Sequence, residues 1–324
     1  MAPGALGRAR SGGAGPRDRA ARGGTGAGAR SARGRRVRHL RVRGAGRSGR
    51  PGPGGARRPG RRDGARGGGE HVSLLERRPG LLVLVDPSRT APAEAERVAR
   101  EARAAGAAGL LIGSSFDGTR DTQLVARAIR QAVPGFPVAL FPGSAMQLTD
   151  DVDLVLFLSL VSGRNAQYLI EEHVRAVPFL KRHPVPTLST GYILIDGGRV
   201  TSVEAVSQTR PLPADKPELA AAHATAARLI GMRAIYVDAG SGALRPVPAD
   251  VIRACREAVP GLPLFVGGGI QHPEQARAAR AAGADFVVIG TAVETAESGK
   301  AEGASVRDEL TAFVRAVGGP GIAP

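Results

Sequence analysis

Large apolar residues in this chain fall into short unbroken runs separated by stretches with helical spacing. Eight runs stand out, at 81–85, 109–112, 137–140, 154–157, 187–195, 234–238, 263–266 and 285–289. Most are continuous, as in Leu81-Leu82-Val83-Leu84-Val85, rather than alternating with polar positions. That pattern marks strands buried on both faces, as in a parallel sheet. Amphipathic helical patterns occupy 92–105, 121–133, 165–177, 217–230, 248–258, 273–282 and 302–317. Pro92, Pro248 and Pro273 stand at or near helix starts, and Gly106, Gly231, Gly261 and Gly283 follow helix ends. Proline suits a first turn because the N–H it lacks has no partner there, and glycine takes the left-handed turn after a last one. Strand–helix alternation of this kind predicts an α/β fold, a (β/α)8 TIM barrel. One unit is short. Between the third and fourth runs only 141–153 remains, too little for a crossover helix, so the barrel is expected to carry one degraded helix after strand 3.

Function in such barrels collects at the C-terminal ends of strands. The seventh run ends in Gly267-Gly268-Gly269-Ile270 and the eighth in Gly290-Thr291. Paired loops after the last two strands are a phosphate-binding place in this fold, and glycine lets backbone N–H groups approach phosphate oxygens without a Cβ in the way. Two ordinary tight turns are the plainer reading. The other ends supply Asp86-Pro87, Gly113-Ser114-Ser115, Phe141-Pro142-Gly143, the stretch from Ser159 to Asn165, and Asp238-Ala239-Gly240-Ser241-Gly242, with Tyr192 in the fifth run and Tyr236 in the sixth. Each has a plain alternative. Asp86-Pro87 makes a turn, Ser114, Ser115 and Asn165 make caps, and Tyr192 and Tyr236 make core aromatics with satisfied hydroxyls.

Composition splits the chain in two. Residues 1–70 hold 19 Arg, no Lys, 21 Gly and only the acids Asp18, Asp63 and Glu70, whereas 71–324 hold 26 basic and 26 acidic residues. The formal charge of +16 therefore belongs to the first part. That part has no apolar periodicity to offset the entropy of ordering, so it is expected to be a disordered Arg/Gly-rich tail ahead of a barrel domain at 71–324. It lacks the aromatic residues that single-strand binders stack on, and its composition suits translation of a GC-rich upstream region. The tail is expected to be dispensable, and no nucleic acid is required. It has no apolar core of a secretory leader, and no run is long enough to span a bilayer. Cys255 is the single cysteine, and the histidines show no metal-ligand spacing. A cytoplasmic location is expected.

The strand ends carry a more specific signal. VDPSRT (85–90), IGSS (112–115), FPG (141–143), SLVSGRNAQYLI (159–170), PTLSTGYILIDGG (186–198), YVDAGSGA (236–243), VGGGI (266–270) and IGTAVE (289–294) occur in this order. Together they resemble the geranylgeranylglyceryl phosphate synthase family, with its bacterial heptaprenylglyceryl phosphate synthase branch. The resemblance implies a prenyltransferase that joins a polyprenyl diphosphate to sn-glycerol 1-phosphate. It implies Mg2+ held at Asp86 and Ser115. It places the glycerol phosphate at Tyr236, Val237, Asp238, Ala239, Gly240, Ser241, Gly242, Gly268, Gly269, Gly290 and Thr291, with Asn165 beside the substrate. It makes Asp238 the base and Tyr192 its catalytic companion.

Two positions depart from the family pattern. Asp238 stands where the family usually carries Glu, and Leu84 stands where the bacterial branch carries Lys. Both concern the acceptor rather than the reaction. A related acceptor such as 3-phosphoglycerate, used by the moenomycin-pathway relative, therefore stays open, with Arg164 or Arg245 as its cationic neighbour. A phosphate-binding barrel isomerase is the rival from another class. Expected partners are the two substrates; a homo-oligomer and a transient contact with a membrane surface also stay open.

Overall fold

In the computed structural model, residues 74–77, 79–116, 121–290 and 305–318 are described, and they all lie in the unit Gly64–Pro324. The Arg/Gly-rich stretch 1–70 and Thr291 lie outside the described residues. Eight parallel strands close into a barrel in chain order. They are β1 (Gly80–Val85), β2 (Gly109–Ile112), β3 (Val138–Leu140), β4 (Leu154–Leu160), β5 (Thr187–Leu194), β6 (Ala234–Asp238), β7 (Leu264–Gly267) and β8 (Phe286–Ile289). Closure pairs Gly80 with Phe286 and Val83 with Ile289. Eight helices surround the sheet among the described residues: α1 (Pro92–Ala104), α2 (Thr122–Ala132), α3 (Glu172–Arg182), α4 (Ser202–Ser207), α5 (Pro217–Leu229), α6 (Ala249–Ala258), α7 (Pro273–Ala281) and α8 (Val306–Val317). None of the described helices is long and apolar enough to cross a membrane.

Continuous apolar strands serve two cores. Outward residues such as Val83, Ile112, Ile235, Val237 and Val287 pack under the helices. Inward residues such as Leu82, Leu111, Leu156, Tyr236, Phe265 and Phe286 fill the barrel. Rings stack through the interior: Phe141 on Tyr236 with centroids 4.7 Å apart, Tyr236 on Phe265 at 5.9 Å, and Phe265 on Phe286 at 4.8 Å. This stack is the floor of the functional end.

The degraded unit is as expected. Between β3 and β4 the chain makes only a 3-10 turn, Ala145–Gln147. Gln147 anchors it, accepting from the Gly143 N–H and donating to the Ser114 carbonyl. Two differences from the sequence reading matter. The helix expected at 165–177 begins as a single π turn, Gln167–Glu171, and runs on through Pro178 to Arg182. Val174 and Pro178 are both on the exposed face of the helix, where the carbonyl that proline cannot serve is open to solvent rather than to the core. Helix α4 has no counterpart among the helical patterns of the sequence. Thr201 followed three residues later by Glu204 is a start signal that would have found it, although Thr201 accepts no capping bond here.

Candidate active site

A cavity occupies the C-terminal mouth of the barrel, and its wall combines two chemistries, each drawn from different elements. One part is polar, with Asp86, Ser114, Ser115, Asp238, Ser241 and Gly268. The other is apolar, with Leu148, Val155, Phe157, Leu158, Ala176 and Val203. The missing helix after β3 explains the apolar part. Without that cover, the outer face of β4 at Val155 and Phe157 becomes cavity wall, closed from the far side by α3 and by the turn at Ala145. His173 of α3 stands edge-on to the Phe157 ring at 4.5 Å, and burial pushes its pKa down, which leaves the imidazole neutral near pH 7. Glu172 fixes α3 to the turn by accepting the Ala145 N–H at 2.7 Å.

Asp238 closes β6, the strand position where barrels place catalytic groups. Alternation along β6 turns Ala234, Tyr236 and Asp238 inward. Asp238 is 6% exposed, and both its oxygens are engaged. Oδ2 accepts from the Tyr192 hydroxyl at 2.6 Å, and Oδ1 accepts from the Gly240 N–H at 2.9 Å. Burial raises the Asp238 pKa, and the bonds from Tyr192 and the backbone partly oppose it. Burial, reinforced by the Asp238 charge, holds Tyr192 and Tyr236 well above the ordinary phenol value, so both keep their protons. Each carboxylate oxygen has a second lone pair that can face the cavity.

The glycine loops lie against this carboxylate. Gly268 and Gly269 have φ of +78° and +69°. A Cβ on Gly268 would meet Asp238 Oδ1 and, at 2.6 Å, the Gly240 nitrogen; one on Gly269 would meet the Arg245 carbonyl oxygen at 2.6 Å. Gly242 also has positive φ, +72°, but faces open space. Among the described residues, no hydrogen bond takes the backbone N–H of Ser241, Gly242, Gly268 or Gly269. Unbonded N–H groups beside left-handed glycines in a cavity wall are the makings of an anion nest. Gly290 lines the same cavity at the end of β8.

Not every expected residue reaches the cavity. Val237 and Ala239 point into the outer core, and Val237 is held in ladders on both sides, so neither side chain can contact a ligand. Gly240 contributes by holding Asp238, not by lining the wall. Asn165 is likewise away from the lining; its Oδ1 accepts the Gln167 N–H and its Nδ2 donates to the Ser207 carbonyl, so it caps the π turn and ties it to α4. Thr291 is not among the described residues. Residues that motif reading missed are the groove walls, Phe157, His173 and Ala176, whose only signal was the short stretch after strand 3.

At the other polar wall, Asp86 Oδ1 accepts from the Ser88 N–H at 2.9 Å and the Ser88 hydroxyl at 2.7 Å. Its Oδ2 stands 3.9 Å from Arg89 Nε. Ser114 lies beside it, with its hydroxyl 3.4 Å from that of Ser88. No group of three His, Cys, Asp or Glu gathers among the described residues, so these residues make no all-protein metal cage. One carboxylate with neighbouring hydroxyls at an open cavity does suit Mg2+, which keeps several waters and is held by few protein oxygens together with substrate phosphates.

The model of the PcrB family matches residues 72–307. The chain belongs to the PcrB family. Among this family member's relatives, the geranylgeranylglyceryl phosphate synthase of Methanothrix thermoacetophila is 42% identical over 219 residues, 67% of this chain and 84% of the relative. That of Spirosoma linguale is 49% identical over 158 residues, 49% of this chain and 63% of the relative. Among solved structures, (S)-3-O-geranylgeranylglyceryl phosphate synthase from Thermoplasma acidophilum, in complex with its substrate sn-glycerol-1-phosphate, superposes with a TM-score of 0.69 at 29% identity. That match covers 76% of this PcrB-family chain and 98% of the other.

Proposed function

We propose that this chain transfers a prenyl group, geranylgeranyl by the names of its relatives, from its diphosphate to sn-glycerol 1-phosphate. The observation that carries the reading is the anion nest of Ser241, Gly242, Gly268 and Gly269 set directly against the buried Asp238–Tyr192 pair. A phosphate held in the nest places the glycerol hydroxyls of the same molecule toward that carboxylate. The apolar groove over β4 receives the prenyl chain. Asp86 and Ser115, in the polar part of the same cavity wall, would face the diphosphate head and would hold Mg2+ there. When bound, the metal ion neutralises charge on the departing diphosphate.

The bond changes are few. The allylic C–O bond to diphosphate breaks with its electrons leaving on oxygen. The acceptor hydroxyl oxygen bonds the allylic carbon, and its proton passes to Asp238. Tyr192 keeps Asp238 ionised and aimed by donating to Oδ2. The dry aromatic floor limits capture of the allylic centre by water.

An acceptor with an added carboxylate is less well served. Among the described residues no arginine or lysine lines the cavity. Arg164 donates to the carbonyls of Ser162 and Gly163, and Arg245 packs over Gly198. Nor does a phosphate-binding isomerase need an apolar groove opening from its acid–base pair.

The test incubates the purified chain with Mg2+, a panel of prenyl diphosphates and either sn-glycerol 1-phosphate or 3-phosphoglycerate, and identifies products by mass. A prenyl ether of glycerol 1-phosphate together with free diphosphate is expected. Turnover of 3-phosphoglycerate alone would overturn the acceptor, and no ether from either would overturn the reading.

A further inference from the structure

Among the exposed large apolar side chains of the described residues, five lie in successive loops at one end of the barrel, the rest on helices α2, α3 and α5 and just after α5. Phe116, Met146, Ile170, Val200 and Leu244 are 57% to 79% exposed. They come from the loops that follow β2, β3, β4, β5 and β6 in turn. In this fold those loops share one face, the mouth. Each stands close in sequence to a cavity wall: Phe116 follows Ser115, Met146 follows Ala145, and Leu244 follows Ala243. Together they ring the opening of the groove without lining it. Arg199 and Arg245, both exposed, adjoin Val200 and Leu244. The acids Glu171 and Asp196 share these loops and are also exposed.

We propose that this rim docks on a lipid bilayer, the apolar tips entering the headgroup layer with the arginines at its surface. The inference rests on the proposed reading of the groove as a prenyl-chain site. A long prenyl diphosphate resides in membrane, so a groove mouth seated on the bilayer receives it without passage through water. A second copy of the chain seated on the same face would cover the mouth instead. Apolar tips beside cations are the chemistry of interfacial binding, which grows with the apolar area inserted.

The test uses the full chain and sedimentation with vesicles, of phosphatidylcholine alone and of phosphatidylcholine with phosphatidylglycerol. Phosphatidylcholine alone separates rim insertion from attraction of the 19 arginines of residues 1–70 to anionic lipid. The combined variant Met146→Ser/Val200→Ser/Leu244→Ser touches no wall residue. It is expected to lose binding to phosphatidylcholine by about tenfold or more. A control variant, Leu229→Ser/Ile230→Ser, alters exposed apolar residues at the opposite end of the barrel and should bind as wild type. Turnover of geranyl diphosphate, short enough to stay in water, should be equal in all three, which separates this inference from the reaction itself. If turnover is absent in all three while only the rim variant leaves the vesicles, the docking stands and the reaction is wrong. Wild-type binding by the rim variant, or no binding of wild type to either vesicle, overturns the docking. So does a rim variant that changes only the oligomeric state in solution.

Discussion

Tyr192 on β5 donates its phenolic hydrogen to Asp238 on β6 across 2.6 Å, in a site where both side chains are 6% exposed. The two positions are not opposite each other; Tyr192 pairs with Tyr236 and Leu194 with Asp238 in the ladder, so the bond runs diagonally over the aromatic floor. It makes the base a two-residue unit. Burial raises the Asp238 pKa, and this bond is the leading influence that lowers it again. Activity should therefore rise with pH along an acid limb lying above the ordinary aspartate range. Tyr192→Phe removes the lowering influence, so the limb should move to still higher pH, and kcat should fall roughly tenfold, about 1.4 kcal/mol. A pH profile of kcat/KM checks this; an unmoved limb would detach Tyr192 from the base.

Asp238→Asn should lower kcat by about 10²–10⁴, the range for loss of a general base. The stability change should have the opposite sign. A carboxyl whose folded-state pKa is raised adds stability below its unfolded pKa and loses that stability as pH rises through the folded value. At neutral pH the Asn variant should then melt at or above the wild-type temperature, the two converging in acid. Asp238→Glu keeps the carboxylate on one more methylene and should retain activity within about tenfold if the acceptor sits as in the relatives. A loss as large as that of Asn would mean a pocket rebuilt for another acceptor.

Gly268→Ala tests the nest. Its φ of +78° alone costs a non-glycine residue about 1–2 kcal/mol, and the new methyl would meet Asp238 Oδ1 and the Gly240 nitrogen. The melting temperature should drop and the KM for glycerol phosphate should rise. A change in melting temperature with no change in KM would make the glycine purely structural.

Asp86→Ala should nearly abolish turnover while leaving the fold intact, since among the described residues its carboxylate meets Ser88 and Arg89, both near in sequence, at the edge of the cavity. Chelation of divalent cations should abolish wild-type turnover, and added Mg2+ should restore it. Turnover within about tenfold of wild type in Asp86→Ala would remove the metal assignment.

The barrel was legible because its strands are buried on both faces, and unbroken runs such as Leu81–Val85 have few other homes. The missing unit was legible too, as a length too short for a helix. Its consequence was not: that the bare outer face of β4 becomes a groove depends on which residues α3 carries over it, and a motif does not record a wall made by absence. Asp238, Gly268 and Gly269 were found because glycine and carboxylate at strand ends have a direct chemical use. Val237 and Ala239 were included by adjacency in a motif, and strand alternation turned them to the outer core. Asn165 was placed at a substrate for the same reason, whereas its amide serves two backbone groups. Helix α4 escaped because six residues are too few to show a period.

In the proposed arrangement the phosphate of the acceptor rests in the nest while its far hydroxyl meets Asp238. The position of the ether on the product tests this most directly. The chain is incubated with geranylgeranyl diphosphate, Mg2+ and sn-glycerol 1-phosphate, and the product is read by carbon–proton NMR. A single ether at O3, the oxygen farthest from the phosphate, is the expected result. An ether at O2, a mixture of positions, or recovery of unchanged glycerol 1-phosphate would contradict it.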